Sequence, residues 1–189
     1  MRFFTADNHW RHANILKYCP TREYKTIEEH DRINTENWNE TVGKDDDIYV
    51  LGDWAFSDIA TIKQINKNLS GKKHLIIGNH DRHSWSDYIR SGFSTVQRYQ
   101  FINIPEVGPV GLAHDPSACI TDRTIPWLVG HMHQQFVRMF NCINVGIDVR
   151  KMRPVSETSL LADFNLINIS IRHDAKQAII ARKEICSEE

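Results

Sequence analysis

Five short motifs of acidic, histidine and asparagine residues lie along this chain, and each follows an apolar run that reads as a buried strand. A sheet can aim side chains from the ends of its strands at one point, so these motifs predict a single polar centre. The residue types are those that ligate metals. In chain order the motifs are Asp7-Asn8-His9, Gly52-Asp53, Gly78-Asn79-His80-Asp81, His114 and Gly130-His131-Met132-His133.

The segments between the first motifs predict alternating strands and helices. Apolar runs predict strands at 2–6, 47–51 and 74–77. A helix is predicted to begin near Thr26, whose spacing from Glu29 is that of a capping box, and another at Ser57 or Asp58. This order indicates a largely parallel sheet with right-handed crossovers.

After residue 90 the pattern changes to short extended runs separated by Gly, Pro and Asn, which predicts a second and more antiparallel sheet. These runs lie at 95–104, 109–113, 126–129 and 141–147. We therefore predict an α/β fold, a two-sheet mixed β-sandwich flanked by helices. Near the end, a helical turn is predicted at 156–161, an edge strand at 164–171 and a fraying polar tail at 175–189.

Length and charge limit the function classes. The chain has 189 residues, which predicts a single domain over 1–189, with the motifs in 1–156 and a C-terminal extension at 157–189. Its 23 basic and 24 acidic residues give no overall attraction to polyanions, so wrapping long duplex DNA is not favoured. A small anionic substrate needs only a local field.

The chain also lacks the usual signs of export. The N-terminus reaches Asp7 before an apolar stretch can form, and no apolar run approaches the roughly 20 residues of a membrane span. The cysteines form no C-x-x-C pair, which suits reduced thiols; they are Cys19, Cys119, Cys142 and Cys186. We predict a cytoplasmic protein that does not associate with membranes.

Two divalent cations about 3.5–4 Å apart need a carboxylate that bridges them and separate ligands that keep the sites distinct. Asp53 is the best candidate for the bridge. Asp7 and His9 can converge on one metal if the backbone turns between them, and His131 and His133 could each serve a different metal.

Asn79 would add a neutral oxygen and His114 a further nitrogen. Mixed nitrogen and oxygen ligands suit manganese, iron or zinc better than magnesium or calcium, which prefer oxygen alone. We predict two divalent ions as cofactors, with Mn²⁺ expected first and iron or Zn²⁺ as alternatives.

The ordered set D-x-H, G-D, G-N-H-D, H and G-H-x-H resembles the calcineurin-like metallophosphoesterase superfamily over residues 1–156, including the spacing between motifs. It is most similar to the small, capless branch of predicted phosphoesterases, in which the first motif continues into His-x-Asn-Ile, here 12–15. The segments 144–148 and 153–156 fit that branch. One departure is Trp10-Arg11, where the branch commonly has Phe-Gly, and it would add bulk and a cation at the mouth of the site.

The resemblance implies the calcineurin-like fold and a role for each motif residue. By this likeness the first metal would be held by Asp7, His9, Asp53 and His133, and the second by Asp53, Asn79, His114 and His131. The catalytic His80 would face the leaving group and be oriented by a hydrogen bond to Asp81. A hydroxide between the metals would attack in line, without a phospho-enzyme.

The expected enzyme is therefore a metal-dependent phosphoesterase, a hydrolase acting on a small phosphodiester or phosphomonoester that is nucleotide-like. One alternative is a nuclease or nucleic-acid end-processing enzyme on the same centre, which the neutral charge disfavours. Another is a non-catalytic scaffold of the same fold. The oligomeric state stays open: a homodimer is compatible with Trp38 or Phe101 at a surface, but nothing in the chain requires one.

Substrate contacts are predicted from position alone. Arg11 and Arg82 lie beside ligand motifs, where either could hold a phosphate or could be a solvated surface arginine. His12 could contact substrate or support a metal ligand. Trp10, Trp54 and Trp85 could stack on a base, although packing is the preferred reading for Trp54.

Overall fold

The structure, a computed structural model, describes residues 1–117, 123–168 and 171. Its strands are β1 (Arg2–Thr5), β2 (Asp47–Leu51), β3 (Lys72–Ile76), β4 (Thr95–Gln97), β5 (Tyr99–Ile104), β6 (Gly108–Ala113), β7 (Trp127–Val129), β8 (Arg138–Met139), β9 (Cys142–Asn144) and β10 (Val155–Ser156). Its α-helices are α1 (Ile15–Tyr18), α2 (Ile27–Thr41), α3 (Ile59–Asn68), α4 (Trp85–Arg90) and α5 (161–168). Short 3₁₀ turns cover His133–Gln135, Ile147–Val149 and Thr158–Leu160.

The first sheet has the order β10-β1-β2-β3-β4, and its three pairings from β1 to β4 are parallel, as predicted. The edge strand β10 pairs antiparallel with β1. Helix α2 begins where its capping box predicts, because the Thr26 side chain accepts a hydrogen bond from the Glu29 amide at 3.2 Å. Asp58 caps α3 in the same way, through the Thr61 amide at 2.8 Å.

The second sheet has the order β5-β6-β7-β9-β8. It is mixed, because β6-β7 and β7-β9 are parallel while β5-β6 and β8-β9 are antiparallel. The run predicted at 95–104 is divided at Arg98: β4 completes the first sheet and β5 begins the second. The chain therefore changes sheets within one extended segment, and the predicted α/β architecture of two mixed sheets flanked by helices is confirmed.

Two apolar layers hold the sheets and helices together. The layer between the sheets joins Phe4 and Leu51 of the first sheet to Leu112 and Leu128 of the second. The other face of the first sheet packs Ile48 and Val50 against helices α2, α3 and α4. Trp38 belongs to this second layer and is buried, so its predicted place at a surface is wrong.

The predicted edge strand at 164–171 is wrong, because residues 161–168 form helix α5. Leu160, Phe164 and Ile167 are spaced by four and three, and all three are buried against the layer between the sheets. Helix α4 was not predicted, although Ser84 caps it through the Asp87 amide. The tail predicted to fray, 175–189, lies outside the described residues.

Cys142 is disulfide-bonded, so the prediction of reduced thiols is wrong at that position. Cys19 is a free, buried thiol, whereas Cys119 and Cys186 lie outside the described residues. None of the helices formed by the described residues has both the length and the apolar character needed to cross a membrane.

Candidate metal centre

The predicted ligands come from the ends of five strands that meet at one edge of the two sheets. Asp7, Asp53 and Asn79 follow β1, β2 and β3 by two or three residues, and His114 directly follows β6. His131 follows β7 by two residues. Because the carboxyl ends of parallel strands lie at the same edge, residues more than 100 positions apart in the chain converge.

The backbone turns sharply at these positions. Left-handed φ values occur at Asp7 (57°), His9 (51°), Asp53 (55°), His131 (71°) and His133 (46°). Such values are uncommon outside glycine and concentrate at functional sites, where the surrounding structure maintains them. Here the Asp7 amide donates to the Gly52 carbonyl at 3.1 Å, and the His9 amide donates to the Asp53 carbonyl at 3.0 Å.

The ligand atoms form two groups. In each group the nitrogen and carboxylate atoms lie within 4.8 Å of one another: one consists of Asp7, His9 and His133, the other of Asp53, His114 and His131. The division matches the two metal sets that the family likeness implies. Each group is of a size and chemistry that could hold one cation.

Asp53 belongs to the second group and also faces the first. Its Oδ2 atom is 3.6 Å from His9 Nε2, and its Oδ1 atom is 3.5 Å from His114 Nε2. The His80 amide also donates to Oδ1 at 2.9 Å, which holds the carboxylate in this orientation. Gly78 makes the position possible, since a Cβ there would lie 2.3 Å from Asp53 Oδ1. One carboxylate therefore faces both groups, as a bridging ligand must.

A buried nitrogen in the first group lacks a partner. His9 is 1% exposed, and its Nε2 has no hydrogen bond among the described residues, although buried polar atoms nearly always have one. The atom faces the Asp53 carboxylate across 3.6 Å. A cation between them would satisfy both, so the residues present fit a metal here.

The second group also includes Asn79, as predicted. Its Oδ1 atom lies 2.9 Å from His114 Nε2 and 3.0 Å from His131 Nδ1. Three potential ligand atoms therefore meet on one side of Asp53. An amide oxygen and imidazole nitrogens supply the mixed set that manganese, iron or zinc accepts.

Neighbouring groups set which nitrogen two of the histidines present. His114 Nδ1 donates to the Leu51 carbonyl at 2.7 Å, and His133 Nδ1 donates to Asp148 Oδ2 at 2.8 Å. Both histidines therefore present Nε2 to the site. A hydrogen bond from the other ring nitrogen is the usual support for a metal-bound histidine.

The pKa values follow from burial and these contacts. Burial lowers the pKa of His9 to about 2, whereas burial raises the pKa of Asp7. Burial also lowers the pKa of His114, but its contacts with Asp53 and Asp7 outweigh burial and raise the pKa to about 9. Burial likewise lowers the pKa of His133, but its hydrogen bonds to Asp148 and Cys19 and the charges of Asp7 and Asp148 together outweigh burial and raise the pKa to about 10. In both groups, carboxylates thus stabilise a positive charge on a neighbouring histidine.

His80 lies beside the first group and is half-buried. Its ring centroid is 5.7 Å from that of His9 and 5.0 Å from that of Phe56. The His80 Nδ1 atom has no hydrogen-bond partner in the part of the chain that the structure describes. The His80 ring is thus close to the predicted ligands, but its Nδ1 makes no hydrogen bond to them.

The predicted hydrogen bond from the His80 ring to the Asp81 carboxylate is wrong. Asp81 Oδ2 accepts from the amides of Gly78 at 2.8 Å and Asp53 at 2.9 Å, and Oδ1 accepts from the Trp54 amide at 3.0 Å. Both oxygens of the Asp81 carboxylate are thus hydrogen-bonded to backbone amides of the two loops instead of to the neighbouring imidazole. Asp81 therefore joins the β2 and β3 exits and positions Asp53 rather than His80.

Arg22 is a supporting residue that sequence reasoning missed. It is 2% exposed and makes a bidentate ion pair with Asp148, both contacts being 2.7 Å. It also donates to the carbonyls of Asp7 at 2.6 Å and Asn8 at 3.2 Å. Arg22 thus links the β1 exit to the carboxylate that orients His133. Asp148 lies in the segment 144–148, which fits the family branch, but nothing in the local sequence marks Arg22 as its partner.

We expect Arg22→Met to lower the free energy of unfolding by about 3–5 kcal/mol, because it removes the bidentate partner of the buried Asp148 carboxylate and leaves it with His133 alone. The matched change Arg32→Met affects an exposed arginine paired with Glu36, and it should cost less than about 1 kcal/mol. Urea unfolding of the metal-free proteins measures both. Equal, small losses in the two variants would contradict the structural role of Arg22.

Of the predicted substrate contacts, Arg11 is an exposed arginine whose side chain turns to Asp31, with Nε 3.4 Å from Oδ2, and its role stays a prediction. Trp10 is buried against Trp54, so the Trp10-Arg11 departure alters packing rather than the mouth of the site. Trp54 is also buried, which confirms the predicted packing role of this residue. Trp85 is half exposed and begins α4.

Two of the predicted contacts remain near the centre. His12 stacks on Phe56 with ring centroids 3.8 Å apart, and its Nδ1 is 3.4 Å from His9 Nδ1. His12 therefore lies against His9, one of the predicted metal ligands. Arg82 is exposed and lines a cavity of about 240 Å³ together with His80 and Phe56. Its guanidinium has no ion pair within the described ranges.

Comparisons with known proteins show likeness to proteins of unassigned function. No family model matches the chain. An uncharacterized protein of Methanocaldococcus jannaschii is 29% identical over 166 residues, covering 82% of this chain and 85% of the relative. The Gene 66 protein of Mycobacterium phage L5 is 36% identical over 84 residues, covering 42% of this chain and 39% of the phage protein.

A similar solved structure is that of a protein of unknown function from Aquifex aeolicus. It has a TM-score of 0.66 and 22% sequence identity, and the match covers 85% of this chain and 97% of that one. This likeness supports the α/β fold alone.

Proposed function

We propose that this protein is a metal-dependent phosphoesterase of the calcineurin-like type, with two divalent ions, of which Mn²⁺ is expected first. The observation that carries the proposal is the pair of ligand groups, with Asp53 of the second group also facing His9 of the first. Dinuclear hydrolytic sites need this arrangement, in which one carboxylate serves two cations and the other ligands are divided between them. A single domain over 1–189 and a cytoplasmic location belong to the same proposal.

The two ions would have separate ligands. The first would be held by Asp7, His9 and His133, and the second by Asn79, His114 and His131, with Asp53 shared. Divalent ions bound there would lower the pKa of water and offset the negative charge of a phosphate.

The protein's own groups then divide the remaining tasks. His80 stands beside the first group without belonging to it, so its imidazole can hold a proton for the leaving oxygen. Arg82, in the same cavity, can bind a phosphate oxygen through its guanidinium. Asp81 and the Gly78 turn hold Asp53 in place.

The test is hydrolysis of bis-p-nitrophenyl phosphate and p-nitrophenyl phosphate by metal-stripped protein, with and without added Mn²⁺. We expect turnover that depends on Mn²⁺, and the ratio of diester to monoester rates will direct the search for the natural substrate. Two bound ions without turnover of either ester would count against a general phosphoesterase. Absence of bound ions would favour the scaffold alternative.

A nuclease on the same centre is distinguished by a third substrate, a labelled single-stranded oligonucleotide. The net charge of −1 favours small esters, so we expect the oligonucleotide to be cleaved more slowly than the diester. Faster cleavage of the oligonucleotide would favour the nuclease.

A further inference from the structure

A cavity of about 860 Å³ lies next to the second ligand group. It contains two predicted ligands together with a cluster of aromatic and cationic side chains that the proposed chemistry does not use. Its lining includes Asn79, His114, Arg98, Tyr99, Phe101 and Trp127. The same cavity thus presents metal ligands and aromatic rings to one bound molecule.

Three rings pack together as the aromatic shelf: Tyr99 and Phe101, which are exposed, and Trp127, which is buried and packs against Phe101. Tyr99 and Phe101 are two positions apart in edge strand β5, so their side chains lie on the same face of the sheet. Their ring centroids are 6.1 Å apart, and those of Phe101 and Trp127 are 5.4 Å apart. Tyr99 and Phe101 are 59% and 54% exposed.

Gly111 makes room for the shelf. It pairs with Phe101 on one side and with Trp127 on the other. A Cβ at Gly111 would lie 2.4 Å from the Trp127 ring, so only glycine lets the indole lie across this strand. The local sequence therefore keeps an aromatic surface in the cavity beside the centre.

An aromatic surface beside a phosphate-type site fits a ligand with a planar ring. Exposed aromatic side chains stack on bases, and this interaction tolerates different bases because each has a π face. Arg98, exposed in the same cavity, adds a cation that can contact a ring or a phosphate. Alkyl phosphates would leave these rings unused.

The shelf and His80 lie in different cavities. His80 shares its cavity with Phe56 and Arg82, whereas the shelf shares its cavity with the second-group ligands Asn79 and His114. A phosphodiester has two substituents on phosphorus. With the leaving oxygen at His80, the retained substituent can extend along the cavity of the shelf.

We propose that Tyr99 and Phe101 bind the planar ring, a nucleobase, of the substituent that stays on the phosphate. This inference rests on the proposed function, and it names the substrate class as a nucleoside phosphodiester.

The test compares two diesters that share one leaving group: thymidine 5′-p-nitrophenyl phosphate and methyl p-nitrophenyl phosphate, with Mn²⁺ present. Because p-nitrophenolate leaves in both, any contribution of its ring cancels in the ratio of kcat/KM. Stacking on one aromatic side chain corresponds to about 5- to 150-fold. We expect the wild-type protein to prefer the thymidine ester by about 10-fold or more.

Phe101→Ala and Tyr99→Ala should each reduce this preference by about fivefold or more. Phe140→Ala is the matched control, because Phe140 is 67% exposed and follows β8 at the opposite edge of the same sheet. The preference should be unchanged in the control. Thermal unfolding of each variant identifies any that has lost its fold, and Phe101→Leu, which retains apolar bulk without the aromatic face, should also reduce the preference.

Equal kcat/KM for the two diesters in the wild-type protein would overturn the aromatic shelf while leaving the phosphoesterase intact. A preference that survives Phe101→Ala and Tyr99→Ala would overturn it as well. If Phe101→Ala converts a dimer to a monomer with the preference unchanged, the face is a contact between copies of the chain and the inference fails. Hydrolysis of neither ester by protein with two ions bound would refute the proposed function and the shelf together.

Discussion

Asp53→Asn is expected to reduce the bound metal from two ions per chain to fewer than one. Asparagine keeps the size of the side chain and an oxygen that can accept from the His80 amide. It removes the negative charge that faces His9 Nε2 and His114 Nε2 at 3.6 and 3.5 Å. Since even groups that only orient ligands are worth about 10–100-fold in metal affinity or activity, loss of the shared ligand should lower turnover by more than about 100-fold.

Metal analysis after gel filtration, combined with Mn²⁺-dependent hydrolysis, measures this effect. Asp47→Asn is the matched control, because Asp47 begins β2 at the end remote from the centre. Its Oδ1 atom lies 3.1 Å from His74 Nε2, so this carboxylate also faces a histidine. The control should retain two ions and full turnover. Two ions and normal turnover in Asp53→Asn would exclude Asp53 as the bridge.

His80→Ala is expected to retain both metal ions while hydrolysis falls by about 10²–10⁴-fold. The reason is that the His80 ring lies near the first ligand group, 5.7 Å from the His9 ring, but belongs to neither group. If it supplies a proton to the leaving oxygen, the loss should be larger for an alkyl leaving group than for p-nitrophenolate, which leaves readily without protonation.

His83→Ala is the control for this prediction. His83 lies in the same loop, and its Nε2 contacts the Ser57 carbonyl at 2.8 Å. Metal content and rates with activated and alkyl esters should match those of the wild-type protein. Unchanged turnover in His80→Ala would remove His80 from the mechanism, and lost metal would make it a structural residue instead.

Parts of the fold that depend on neighbouring residues could be predicted from the chain. The cap at Thr26 needs only the Glu29 amide three positions away, and the apolar runs before the motifs need only a buried sheet. Residues 164–171 show where local pattern fails. They alternate as a strand does, but Phe164 and Ile167 also lie on one face of a helix, and contact with the layer between the sheets decides between the two.

The candidate site divides in the same way. The amino-acid sequence by itself determined which residue types stand at the strand ends, because order and spacing of the motifs are local properties. Only the tertiary structure decided which ligands share a group, that Asp81 binds backbone amides, and that Arg22 reaches Asp148 across 126 positions. These contacts arise when two sheets pack and five strand ends meet. An ion pair between distant residues produces no periodic pattern in the sequence, so the sequence alone does not predict it.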